Sequence, residues 1–219
     1  MPTGTLCFSE TNFLSKECLN RYLRNQTAYT PPATVYAALQ RADTLAAGAS
    51  IGASGISMTG FEPPAGSVIT IGVGLGTAET FTTGTASGGG PFTVPFASGT
   101  LAHNHSSGEY VMISLAEDPG HDQLQTLFEV ANAGSYVRNA LTYGAPVNLT
   151  PEGVQSQNAT SAFGVATTDW GLVTGVVIVD SATWGSGNHL YYGDLNAPVL
   201  VLNGQQFVFA AGGLNVERH

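Results

Sequence analysis

The spacing of apolar residues predicts one long helix near the start of the chain. The helical interval recurs between Ser9 and Arg24. Its apolar positions are Phe13, Leu14, Cys18, Leu19, Tyr22 and Leu23. Ser9 is a suitable capping residue, and Arg21 and Arg24 lie in the last turn, where positive charge is favourable. We therefore expect a helix whose apolar side packs on a sheet.

After Pro31-Pro32 the pattern changes to short apolar segments separated by turns, which is typical of β-strands. The predicted strands are Thr34–Leu39, Ser67–Val73, Thr80–Thr83, Phe92–Phe96, Tyr110–Leu115, Tyr136–Thr142, Phe163–Ala166, Val173–Val179, His189–Gly193, Gln206–Ala210 and Leu214–Val216. Gly88-Gly89-Gly90-Pro91 indicates a hairpin. In the strand after Tyr136 we expect Val137, Asn139 and Leu141 to share one face. The segment 122–130 fits either a helix or an extended arm.

Nothing in this order of elements suggests alternating strands and helices, so a parallel sheet is not expected. The fold class that fits best is mainly β, an antiparallel β-sandwich with one N-terminal helix. Strands between residues 50 and 115 form a small β module with few charges.

The charge distribution excludes several kinds of partner. Six Lys and Arg residues against fifteen Asp and Glu give a net charge of −9. No basic residue occurs between Ala42 and Val137, where eight acidic residues lie. Nucleic-acid backbones and anionic membranes both require clustered cations, so we expect neither as a direct partner. Only 10% of residues are charged, and such a neutral surface favours contacts between subunits.

The chain start lacks the basic and apolar regions of a secretory signal, and no apolar segment is long enough to span a membrane. Without a secretory signal, Cys7 and Cys18 are expected to be reduced thiols, and a disulfide between them stays open.

One group of residues could carry metal chemistry. His103 and His105 form an H-x-H pair, which on a strand would place both imidazoles on one face, and His121 with Asp118 or Asp122 could complete a site. The alternative is an exposed polar loop, because the pair lies among Asn, Ser and Gly. No catalytic set has suitable spacing, since Ser87 lies in a Gly-rich turn without the partners of a nucleophile. We expect no catalytic residue, no cofactor and no bound metal.

Several motifs resemble a family of virion proteins from tailed bacteriophages, commonly labelled tail fibre or structural proteins. The similar segments are Phe8-Ser9 with Phe13-Leu14, Ala28–Leu39, Tyr136-Val137-Arg138, Thr168–Gly175, Asp180-Ser181-Ala182 with Gly187–Gly193, and Phe209–Leu214. The resemblance covers about residues 8–45 and 128–217. It implies a β-sandwich body of residues 1–48 and 122–219, into which an acidic β module of residues 49–121 is inserted.

The resemblance implies a non-enzymatic structural protein on the outer surface of a phage particle, assembled in the host cytoplasm. Its expected partners are the major capsid protein or other virion proteins, and further copies of itself, most simply as a homotrimer. Within this class we expect a capsid decoration or cement protein, because the chain is compact and not repetitive. A tail or tail-fibre component, and a module that binds host glycans, are the alternatives.

Overall fold

The computed structural model describes residues 6–7, 9–24, 29–30, 32–114, 129–148 and 154–218. These residues form two compact units: unit 1 consists of Met1–Gln40 and Glu129–His219, and unit 2 of Arg41–Phe128. The sequence alone places the boundaries of the module at residues 49 and 121, and this division stays a prediction. That the module is an insertion stays a prediction.

The described residues contain one helix, α1 (Asn12–Arg24), and seventeen strands. In unit 1 the strands are β1 (Leu6–Cys7), β2 (Ser9–Glu10), β3 (Val35–Arg41, its last residue in unit 2), β10 (Asn139–Leu141), β11 (Val147–Asn148), β12 (Val154–Gln157), β13 (Ser161–Val165), β14 (Gly171–Val179), β15 (His189–Val201), β16 (Gln206–Phe209) and β17 (Leu214–Arg218). In unit 2 they are β4 (Asp43–Thr44), β5 (Gly55–Met58), β6 (Val68–Ile71), β7 (Glu79–Thr82), β8 (Phe92–Pro95) and β9 (Tyr110–Ile113). The predicted fold class is confirmed: the described chain is mainly β, with several antiparallel sheets and a single helix.

Unit 1 is built from three sheets that share one core. Their strand orders are β10-β3-β14-β15-β2, β1-β17-β12-β11 and β13-β16. Strands β1 and β17 pair in parallel, whereas the pairs β3–β10, β11–β12, β12–β17, β13–β16, β14–β15 and β2–β15 are antiparallel. The core contains residues of all three sheets, among them Val176 of β14, Phe163 of β13 and Leu214 of β17. The aromatic rings of Tyr136, Phe163, Trp170, Phe207 and Phe209 pack against one another in this core.

Strand β15 is longer than its sequence indicates. The prediction ended at Gly193, but the strand continues to Val201 along β14. An irregularity in the pairing lies between Asp194 and Val199, and it contains Pro198, which cannot donate a ladder hydrogen bond. Because the irregularity breaks the alternation of the strand, periodicity alone predicted an end that is too early, at Gly193.

The start of the helix also differs from the prediction. Ser9 and Glu10 lie in β2, and the capping residue is Thr11. Thr11 Oγ1 accepts a hydrogen bond from the Leu14 backbone N–H at 3.3 Å, and the Thr11 carbonyl accepts the first helical hydrogen bond, from Ser15 N, at 3.1 Å. Thr11 also donates through Oγ1 to the His189 carbonyl and through its backbone N–H to the Leu190 carbonyl, at 2.6 and 3.0 Å. The cap therefore attaches the helix start to β15.

Two apolar expectations fail. Val137 is exposed although Leu141 is buried, because the strand begins only at Asn139. The helix does not bury its whole apolar set either, since Leu19, Tyr22 and Leu23 are 58%, 75% and 77% exposed. The predicted helix or arm at 122–130 lies outside the described residues up to 128.

Unit 2 contains two antiparallel sheets of order β4-β9-β6-β7 and β5-β8. Its buried residues include Ile69 and Ile71 of β6, Val111 of β9 and Met58 of β5. The Gly-rich hairpin prediction is confirmed. The backbones of Ser87 and Thr93 exchange hydrogen bonds of 2.9 and 2.8 Å across a turn in which Gly88 and Gly90 have positive φ.

Phe163 provides a test of the unit 1 core. Replacement by Ala removes a fully buried ring that contacts Trp170, Phe207 and Phe209. We expect Phe163→Ala to lower the free energy of unfolding by about 3–5 kcal/mol. The measurement is urea denaturation followed by tryptophan fluorescence.

Val165 lies on the same strand as Phe163 but is exposed, and Val165→Ala is the matched control. It should cost less than about 1 kcal/mol. Equal losses for the two variants would contradict the assignment of Phe163 to the core.

Candidate functional site

Two of the three predicted histidine ligands lie together in unit 2. His105 is buried, and its ring is held between two carboxylates: Nε2 lies 3.1 Å from Glu79 Oε1, and Nδ1 lies 2.7 Å from Glu109 Oε2. His103 is more exposed, and its Nδ1 lies 3.4 Å from the same Glu79 oxygen. The third residue, His121, lies outside the described residues.

In this arrangement both ring nitrogens of His105 contact carboxylates. An ionised carboxylate accepts hydrogen bonds, so a ring nitrogen that donates to it is not available to a metal ion. Among the residues that the structure describes, no group of three or more His, Cys, Asp or Glu is placed to hold a metal ion.

The same carboxylates also bind the backbone of the loop that carries the histidines. Glu79 accepts hydrogen bonds from the N–H groups of Ala102 and His103 at 2.7 and 2.8 Å. Glu109 accepts one from Ser106 N at 2.7 Å. The cluster of His105, Glu79 and Glu109, here called the histidine latch, therefore fastens the loop before β9 to the start of β7.

Hydrogen bonding sets the acidity of both carboxyls. Burial acts to raise the pKa of Glu79, but the N–H donors of Ala102 and His103, together with the His105 ring, outweigh it and bring the pKa below 4.5. The Ser106 N–H is the main cause of the lowered pKa of Glu109, against an opposing effect of burial, and His105 adds to it. Both carboxylates are thus stabilised in the ionised form.

A second charged cluster lies in unit 1 and was missed in the sequence. Glu129 and Arg138 form a buried two-pronged ion pair, with Nε to Oε1 at 2.9 Å and Nη2 to Oε2 at 2.8 Å. Tyr136 donates its hydroxyl hydrogen to Glu129 Oε1 at 3.0 Å and accepts a hydrogen bond from Leu39 N of β3 at 2.9 Å. Burial and the Glu129 charge raise the pKa of Tyr136 well above its ordinary value.

Arg138 extends this buried cluster to a further loop. Its Nη1 donates to the carbonyls of Ser181 and Ser186 at 3.0 and 2.6 Å. Close by, Trp184 Nε1 donates to the Val130 carbonyl at 2.9 Å. The guanidinium group of Arg138 thus makes four hydrogen bonds, two to Glu129 and two to backbone carbonyls, and joins residues 129–138 to the loop after β14. We call the buried ion pair of Glu129 and Arg138 the brace, because it holds these segments together.

The signals for these partners in the sequence are weak. Glu109 follows His105 by four residues, a spacing that could have suggested the pair, but Glu79 is distant in sequence and is brought near by the pairing of β6 with β7 and β9. Glu129 and Arg138 lie nine residues apart in a segment without a regular period. Their one sequence signal is opposite charge beside apolar residues.

Acidification should loosen the histidine latch. The lowered pKa values of Glu79 and Glu109 mean that their contribution to stability is present above about pH 4.5 and is lost as the pH falls through the lowered values. We expect the backbone amides of Ala102, His103 and Ser106 to lose protection in that range, measured by amide hydrogen exchange corrected for its intrinsic pH dependence. Glu79→Gln/Glu109→Gln should weaken protection already at neutral pH and remove most of the acid response.

Glu62→Gln, at an exposed acidic position of the same unit, is the control and should retain the wild-type profile. An acid response of these amides that survives in the double variant would rule out the two carboxylates as its cause.

The buried ion pair gives a second prediction. Glu129→Gln leaves the Arg138 charge uncompensated in the core, and we expect a loss of about 3–5 kcal/mol in the free energy of unfolding, measured by urea denaturation. Glu129→Gln/Arg138→Met removes the stranded charge and should recover part of that loss. A double variant less stable than the single one would contradict this electrostatic explanation.

Comparisons with known proteins indicate the family to which the chain belongs. A family model described as podophage GP4 fiber I protein gp80 matches residues 101–217, just over half of the chain. The match includes the histidine-bearing loop, the brace and strands β9–β17. Searches of curated proteins and of solved structures found no match. Among the described residues no helix is long and apolar enough to cross a membrane. By its family match, the chain belongs to the podophage GP4 fiber I protein gp80 family.

Proposed function

We propose that the protein is a non-enzymatic structural subunit of a phage fibre, exposed on the outside of the virion. The observation that carries this proposal is the family match over residues 101–217. It favours the tail-fibre alternative of the sequence analysis over the capsid decoration role that was preferred there.

The geometry of the charged residues supports a structural role. In the histidine latch and in the brace of Glu129 and Arg138, the polar groups hydrogen-bond to one another and to backbone atoms. Catalytic groups need a reactive atom directed at a substrate, whereas these groups hold loops on sheets. A fibre subunit has to withstand mechanical load, and internal fastening of loops serves that purpose.

The aromatic residues support the same proposal over glycan binding. Trp170 is buried in the core and its Nε1 donates to the Gly134 carbonyl at 3.0 Å, while Trp184 donates to Val130. Both rings therefore face the interior of unit 1. Sugar-binding modules commonly present such rings to solvent for stacking, and here the indoles stabilise the fold.

The proposed partners are other copies of the chain and neighbouring virion proteins, with a homotrimer as the simplest closed assembly. The net charge of −9 disfavours a direct contact with nucleic acid or with an anionic membrane. A fibre subunit requires contact with neither nucleic acid nor a membrane.

Copy number and position on the virion test the proposal. We expect purified virions to contain a few dozen copies or fewer, measured by quantitative gel densitometry against the major capsid protein. Gold-labelled antibody should mark fibres in electron micrographs.

Copy numbers near that of the capsid protein, with gold over the shell, would establish decoration instead. A second antibody against the major capsid protein is the control for access of the label. Gold on neither structure, with the chain absent from washed virions, would reject both locations.

A further inference from the structure

The exposed part of α1 combines apolar and basic residues on an otherwise acidic chain. Leu19, Tyr22 and Leu23 are spaced at i, i+3 and i+4, so they lie on one side of the helix, and all three are mostly exposed. Lys16 is exposed three residues before Leu19, and Arg21 and Arg24 are exposed on other sides of the same helix. We call these six residues the helix patch. Large apolar side chains clustered in this way mark interaction sites more often than isolated ones do.

The charge of the helix is opposite to that of the remaining chain. Three basic residues and one acidic residue, Glu17, give α1 a net charge of +2, and the rest of the chain therefore carries −11. Half of all basic residues lie on this one helix. Of the other three, Arg138 is buried against Glu129 and Arg41 lies 5.0 Å over the Phe61 ring, while the Arg218 side chain is outside those described.

We infer that the helix patch binds the acidic surface of a second copy of this chain. This inference rests on the proposed function, because a fibre subunit has to contact further copies. Charge complementarity selects the occupant: every copy carries both a helix of net charge +2 and a remainder of −11, so one copy supplies what the other lacks. The apolar residues provide the buried centre of the contact and the basic residues its polar rim.

The same charges determine the geometry of the contact. Two helix patches placed face to face would bring like charges together, which is unfavourable. The patch of one copy therefore meets a different surface on the next copy, in a head-to-tail interface. Such an interface closes into a ring when the rotation permits, which is the form a threefold fibre would use, and otherwise extends as a filament.

The anchoring of the helix suits this role. Its first turn is fixed to β15 through the hydrogen bonds of Thr11 to His189 and Leu190, and Phe13 packs edge-on against Tyr29 at 5.2 Å between ring centroids. The exposed residues other than Lys16 lie in the second half of the helix. The patch is thus presented by a helix whose start is held by the sheet, which reduces the ordering cost of binding.

Sedimentation velocity of the full-length chain tests the inference. Wild-type protein should associate at micromolar concentration, and association should weaken as salt is raised. Leu19→Gln/Leu23→Gln keeps good helix formers at exposed positions, so the fold and the circular dichroism spectrum should be unchanged, while the dissociation constant rises at least about tenfold. Arg21→Gln/Arg24→Gln should remove most of the salt dependence.

Leu200→Thr/Leu202→Thr is the matched control, since these leucines are also exposed, at 42% and 40%, but lie at the end of β15 and directly after it. It should associate like the wild type. A monomeric wild type, undiminished association of the leucine helix variant, or equal loss in the control would each overturn the inference. A monomeric wild type that binds vesicles of anionic lipid through the patch would also overturn it, in favour of a membrane contact.

Failure here is distinguishable from failure of the proposed function. If gold labels fibres but the helix variants still associate, only the assignment of the surface is wrong. If the helix variants dissociate but the chain lies on the capsid shell, the surface is correct and the fibre proposal is wrong.

Discussion

The architecture of unit 1 depends on one constraint, the complete burial of β14. Eight consecutive residues of this strand, Leu172–Val179, are buried, so apolar material has to cover both of its faces. Val173, Val176 and Ile178 point into the aromatic core, and β3 and β15 satisfy the backbone on either side. A strand buried on both faces restricts where the neighbouring strands β3 and β15 can lie. Gly171, with φ of +87°, permits the sharp entry from Trp170 that places the strand there.

The ion pair of Glu129 and Arg138 follows from that constraint. In the segment 129–138, Val130 and Tyr136 are buried in this core, and the charged groups of Glu129 and Arg138 are buried beside them. A buried pair of this kind contributes less net stability than packed apolar residues of similar size, because both charges lose their hydration. The pair contributes structural specificity instead. Nη1 of Arg138 donates to the carbonyls of both Ser181 and Ser186, so the loop after β14 has one favoured arrangement.

The sequence was informative wherever local patterning and burial coincide. The apolar segment of β14 and the turn-bounded strands of unit 2 could be predicted because each residue's local preference agrees with its place in the fold. Ser9 and Thr11 are equally good caps by composition, so the helix start was decided by a long-range event, the pairing of β2 with β15. Val137 was assigned to a strand face by alternation alone, but the brace at Arg138 holds that stretch out of the ladder. His103 and His105 were recognised as a pair, while the carboxylates that determine their chemistry come from other elements and could not be located by spacing.

The basic residues fall into two groups, those that make contacts within the fold and those that the fold does not use. Arg138 is used inside unit 1 and Arg41 lies on an aromatic ring, whereas the three basic residues of α1 serve no buried contact among the described side chains. Helix stability does not require them all, because a C-terminal dipole effect amounts to about 0.3–1 kcal/mol per charge at an exposed site. Nor does folding require Leu19 and Leu23, which gain little from burial within the chain. The inferred contact with a second copy would bury these leucines and set the basic residues of the helix against an acidic protein surface.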